Sequence, residues 1–166
     1  MKRINVIKNP CLLAVSIVIC IIPGIFGSLF TSTSDGSWYS SLAKPWFLPP
    51  SFLFPVVWTA LYIMMGISLY LILKEDISKR NVNIAAVFFA VQLILNACWS
   101  FLFFGLESPL YGLIGIIFLW IFILLTIVAS YKVSRYAGVL LVPYILWVTF
   151  AAVLNAAVLV LNPVVL

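Results

Sequence analysis

The chain has 166 residues, 66% of them hydrophobic and 8% charged, against roughly 45–50% and 25% in soluble domains, so a water-soluble globule is excluded. Nine Lys plus Arg against four Asp plus Glu give a formal net charge of +5, but the basic residues are scattered between long apolar runs, which excludes a nucleic-acid-binding face. With no histidine anywhere, Ser-His-Asp and Cys-His pairs and histidine-ligated haem or zinc are excluded too.

A bilayer core of roughly 30 Å takes about 20 helical residues, and five uncharged apolar stretches of that length follow one another, at about 11–30, 52–73, 84–104, 110–130 and 137–161. All thirteen charged side chains fall outside them. The pattern predicts an all-α integral membrane protein, one domain over 1–166, built as a bundle of five transmembrane helices.

The first stretch follows Lys2, Arg3 and Lys8 and meets Pro23 and Gly24, an arrangement that a secretory signal shares. Its apolar character continues through Ile25, Phe26, Leu29 and Phe30, so we read it as a retained span with a kink at Pro23. The loop after it, about 31–51, interleaves Trp38, Tyr39, Trp46 and Phe47 with Pro45, Pro49 and Pro50. Prolines stiffen the chain while the large rings are costly to leave in water, whereas a disordered linker is polar. The expectation is a folded cap over the outer end of the bundle; the competing reading is a loop lying in the membrane interface.

On the second span Trp58, Tyr62 and Gly66 recur every four residues and share a helical face, although Trp58 also suits an interfacial aromatic belt. Lys74, Glu75, Asp76, Lys79 and Arg80 then form a mixed-charge turn. The third span carries Gln92, Asn96 and Ser100 at i, i+4 and i+8 with Trp99 beside them. Such a stripe serves either interhelical hydrogen bonds, worth about 0.6–2 kcal/mol each, or the wall of a ligand cavity. Trp120 on the fourth span belongs to none of these faces. The fifth span has a related stripe of Tyr144, Trp147, Ala151, Leu154 and Asn155. Cys11, Cys20 and Cys98 all sit in apolar surroundings, as small hydrophobes.

Lys and Arg collect in cytoplasmic segments. With the N-terminus inside, Lys2, Arg3, Lys8, Lys74, Lys79, Arg80, Lys132 and Arg135 are cytoplasmic and only Lys44 is outside. No ionisable carboxylate, amine or guanidine lies within a span, which argues against proton-coupled transport and general acid-base turnover. Neither a phosphate-binding glycine loop nor metal-ligand spacing is present, so no cofactor and no metal site is expected.

The segments WYSSLAKPWFLPP from Trp38, WTALYIMMG from Trp58, QLILNACWSFLFFG from Gln92 and PYILWVTFAAVLN from Pro143 closely resemble the TspO/MBR family, the tryptophan-rich sensory and translocator (peripheral benzodiazepine receptor) membrane proteins. The resemblance implies a five-helix membrane protein, commonly a homodimer, with a ligand pocket among the helices beneath the first loop. Family ligands are porphyrins, including protoporphyrin IX, and other flat hydrophobic molecules. Matched motif by motif, the implied pocket residues are Tyr39, Trp58, Tyr62, Asn96, Trp99, Trp147, Ala151 and Leu154. Light-dependent porphyrin degradation has been proposed for the family, and it would make Trp58 and Trp147 the candidate catalytic residues; carriage of tetrapyrroles is a further alternative. After Asn155 come Ala156, Ala157 and Val158, without the aromatic and basic residues of the family's sterol pattern, so sterol binding is not implied. The implied partners are a hydrophobic small molecule and the lipid bilayer, with no nucleic acid, and the expected location is a bacterial cell membrane.

Overall fold

A computed structural model describes residues 9–163; Lys2, Arg3 and Lys8, which weigh in the charge-placement reading, lie outside them. The described residues form helices and connecting turns, with no strand among them. α1 spans Pro10–Ser28, where the Asn9 side chain caps the start by accepting from the Leu12 N–H at 3.1 Å, and Pro10 takes a first-turn position that needs no N–H. The helix runs on through the buried Pro23. α2, Trp38–Ser41, is a single turn in the first loop, and α3 spans Leu53–Leu73.

α4 spans Arg80–Ser100 and continues as a π-helical turn over Phe101–Gly105. α5 spans Pro109–Val133, started by Ser108, whose Oγ accepts from the Tyr111 N–H at 3.3 Å, and by Pro109. α6, Arg135–Leu140, and α7, Val142–Leu161, form one span interrupted at Leu141, just ahead of Pro143. Among the described residues five helices are long and apolar enough to cross a membrane. Their limits differ from the apolar stretches because a helix extends to its caps, beyond the hydrocarbon. The third begins at Arg80 rather than at 84, and the fifth at Arg135 rather than at 137.

α1 packs mainly on α3, α4 on α5, and α5 on α7. A Cβ added at Gly66 of α3 would sit 2.6 Å from the Ile17 Cα of α1, so that seam depends on a residue with no side chain. Ala90 on α4 is exposed. The outer surfaces carry Val15, Val18, Ile22, Ile94, Phe118, Leu146 and Val153, all exposed. Such a coat would be costly in water and suits hydrocarbon, where the helices' own hydrogen bonds satisfy the backbone. Trp120 Nε1 donates to Thr149 Oγ1 at 2.8 Å, so this residue ties α5 to α7.

Candidate functional site

Two layers of aromatic side chains occupy the half of the bundle nearest the first loop. In the inner layer the four-residue repeat on α3 brings the Trp58 ring onto Tyr62, 5.4 Å between centroids and 29° between planes. The Trp58 ring also meets Tyr144 of α7 edge-on at 6.2 Å. The Tyr62 hydroxyl donates to Asn96 Oδ1 at 3.0 Å, and Asn96 Nδ2 donates to the Tyr144 hydroxyl at 3.1 Å. One buried amide on α4 thus joins α3 to α7 through two phenols. From the other side Gly24 of α1 lies against the Tyr62 ring so closely that a Cβ there would strike it.

Trp147 faces Phe54 of α3 at 5.9 Å and Phe150 at 5.6 Å. Among the described residues its buried Nε1 has no hydrogen-bond partner, and neither do the two buried amide atoms of Gln92, one helical turn before Asn96. Buried amides and indoles are ordinarily paired, so these atoms are polar contacts not used among the described residues.

The outer layer is built by the π-helical turn. Its wider winding lets the consecutive residues Phe103 and Phe104 both reach Tyr39, at 6.2 and 5.4 Å. Trp38 meets Phe103 at 5.7 Å, and Trp99 stacks on Phe103 at 5.5 Å and 23°. Trp99 Nε1 donates to the Gly112 carbonyl of α5 at 3.1 Å. Leu42, Phe103 and Val158 are buried at the centre of this layer. Burial raises the Tyr39 phenol above its ordinary value, so the ring is neutral at physiological pH, with Lys44 Nζ 4.9 Å over it.

The first loop touches both layers, through Tyr39 on the outer one and through Phe47, 6.4 Å from Phe150, on the inner one. It therefore folds onto the bundle through Trp38, Tyr39, Leu42 and Phe47, while residues 31–36 are exposed and Trp46 is 96% exposed. Of the residues singled out from sequence, Trp58, Tyr62 and Asn96 meet directly, and Trp147 lies on the same side of α7 as Tyr144. Leu154 is buried and Ala151 packs against the main core. The ring contacts of Tyr39 are with Phe103 and Phe104 instead, and Trp99 is the residue packed against both clusters. The sequence marks Gly24 only as part of the signal-like end of the first stretch and assigns no site role to Phe54, Phe103, Phe104 and Phe150. Only the paired phenylalanines after LNACWS hinted at the outer layer, and nothing in the sequence marks the π turn.

The arrangement offers flat aromatic faces, two phenols, amides and an indole N–H unpaired among the described residues. Such a set suits a planar, largely apolar molecule with a few polar edges. Two clefts, about 440 and 230 Å³ in size, lie at the other end of the bundle. Within the aromatic layers Trp58, Tyr62 and Trp147 are half-buried.

The TspO/MBR family model matches residues 16–161. The tryptophan-rich protein TspO of Chlorobaculum tepidum is 50% identical over 156 residues, covering 94% of this chain and 99% of that protein. The tryptophan-rich protein TspO of Archaeoglobus fulgidus is 45% identical over 158 residues, 95% of this chain and 99% of that one. The translocator protein of Bos taurus is 36% identical over 134 residues, 80% of this chain and 79% of that protein.

Proposed function

This chain belongs to the TspO/MBR family of integral membrane proteins, and from that premise we propose that it is a membrane receptor or regulator that binds porphyrins, with protoporphyrin IX as the test ligand, between the aromatic layers of the bundle. The observation that carries the reading is the Trp58–Tyr62 stack held by the Tyr62–Asn96–Tyr144 chain of hydrogen bonds. Two stacked rings on one helix face present the area a flat conjugated molecule stacks on, and each good aromatic pair adds about 0.5–1.5 kcal/mol beyond the area buried. The unpaired Trp147 Nε1 and Gln92 amide supply polar contacts for the edge of such a molecule. Tyr39, Trp99, Ala151 and Leu154 complete the proposed wall, Tyr39 and Trp99 from the loop side and the other two from α7.

The same proposal sets the N-terminus in the cytoplasm of a prokaryotic cell and the first loop outside, supported by the eight-to-one division of Lys and Arg. The ligand then meets the protein at its outer, capped half.

The test is a titration of the purified full chain with protoporphyrin IX, in the dark and under illumination with oxygen, following binding and pigment loss together. Saturable dark binding with stable pigment supports a receptor. Conversion of the pigment to one defined product over several turnovers, suppressed by Phe at Trp58 or Trp147 at saturating ligand, supports degradation instead. No saturable binding in either condition refutes both.

A further inference from the structure

We propose that the end of the bundle away from the first loop binds an anionic glycerophospholipid, with the headgroup in the cleft where α4 begins and α5 ends, and one acyl chain along the groove between these helices. The cleft, about 440 Å³, is lined by Lys79, Arg80 and Lys132 against the single carboxylate of Glu75. Lys79 is paired with Glu75 at 4.0 Å, and among the described residues no acid pairs with Arg80 or Lys132. The nearby Asp76 carboxylate is engaged by the Ser78 N–H at 3.0 Å and hydroxyl at 2.8 Å. α4 also starts here without a side-chain cap, so the positive end of its dipole adds to the field of the cations.

A second hollow, about 230 Å³, shares Asn81 and Lys132 with the cleft and is otherwise lined by Ile84, Phe88, Leu125, Val128 and Ala129. Ile84 and Phe88 lie one and two turns inward from Arg80, and Val128 and Leu125 one and two turns inward from Lys132. The groove therefore descends about 6–12 Å from the charges into the hydrocarbon, at 1.5 Å per residue. A free phosphate would use the cations alone; the apolar groove below them fits a molecule with a chain attached. A second copy docked on this face about a two-fold axis would bring its own cations to ours, and like charges at an interface repel. Basic pockets between spans are a recurrent form of anionic-lipid site.

The experiment offers the full-length protein in detergent equal amounts of phosphatidylglycerol and phosphatidylcholine with identical chains, and reads the bound populations by native mass spectrometry. Phosphatidylglycerol should be retained preferentially. The double substitution Arg80→Gln and Lys132→Gln should weaken it about thirty-fold, about five-fold for each cation near the surface, and leave phosphatidylcholine unchanged. Arg80→Lys with Lys132→Arg, which keeps the charge, should restore retention, and Lys44→Gln in the first loop should not alter it. Equal retention of the two lipids, or an equal loss in Lys44→Gln, would overturn the proposal. So would displacement of the lipid by glycerol phosphate at matched concentration, which would assign the cleft to a soluble phosphoester. A dimer from which both lipids are excluded, broken by Val128→Trp, would assign the groove to a second copy and overturn it as well.

Discussion

The side chain of Asn162 and the backbone of Ala43 form a reciprocal pair across 119 positions of sequence: the Ala43 N–H donates to Asn162 Oδ1 at 2.9 Å, and Asn162 Nδ2 donates to the Ala43 carbonyl at 3.0 Å. Asn162 Nδ2 also donates to the Val158 carbonyl at 2.8 Å. The end of α7 thus holds the first loop by an amide that mimics a peptide group, just beyond the buried Leu42.

Asn162→Ala removes both bonds to the loop. At about 1 kcal/mol net for each bond, amide hydrogen exchange at Ala43 should accelerate about thirty-fold, with the amides of α3 and α5 unchanged. Unaltered exchange at Ala43 would mean that the aromatic contacts alone hold the loop.

Asn96 is the shared partner of two phenols inside the bundle. Tyr62→Phe should cost about 0.6 kcal/mol, the average for such bonds in membranes. Asn96→Leu leaves two hydroxyls without their partner and should cost about 1–3 kcal/mol. In the Asn96→Leu background the further change Tyr62→Phe should cost less than it does alone, as read from thermal midpoints in detergent. Equal costs in the two backgrounds would show that the hydrogen bond contributes nothing.

Gly66→Ala forces a methyl onto the Ile17 backbone. Backbone cannot rotate away as a side chain can, so overpacking of about 1–3 kcal/mol is expected. Ala90→Leu on the exposed face of α4 should stay within about 0.5 kcal/mol. A harmless Gly66→Ala would mean that α1 and α3 separate without penalty.

Topology is checked by cysteine accessibility at Ser34 and Ser78, in a background lacking Cys11, Cys20 and Cys98, two of which are exposed. Ser34→Cys should react with an impermeant reagent from outside and Ser78→Cys only from the cytoplasm. Labelling of Ser34→Cys from the cytoplasmic side contradicts the orientation.

Most of the architecture was readable because the bilayer imposes it. Uncharged stretches near 20 residues give the five spans, and the four-residue spacings bring Trp58 over Tyr62 and Gln92 in line with Asn96. Hydropathy does not report where a helix is capped or how it is wound. Arg80 and Arg135 were set outside the spans although the helices include them, and the widened turn at Phe101–Gly105 left no trace in composition. Contacts between distant segments were the least legible. The motifs set Tyr39 with Trp58 in one implied pocket wall and carry no sign of the rings Tyr39 touches, Phe103 and Phe104. Trp120 looked like a bystander because its face carries no motif, yet it bonds Thr149 across two spans. It is therefore a poor control for a ligand site, and the exposed Trp46 is the better one.

The most direct measurement of the central claim is the dark affinity of the full-length protein for protoporphyrin IX with Ala placed in turn at Trp58, Trp147 and Trp46. The expected result is a several-fold to about tenfold weakening at Trp58 and at Trp147, one aromatic pair lost in each, with no change at Trp46 and with folded thermal midpoints throughout. Equal affinities in all three variants, or a loss at Trp46 as large as at Trp58, would contradict a binding site between the aromatic layers.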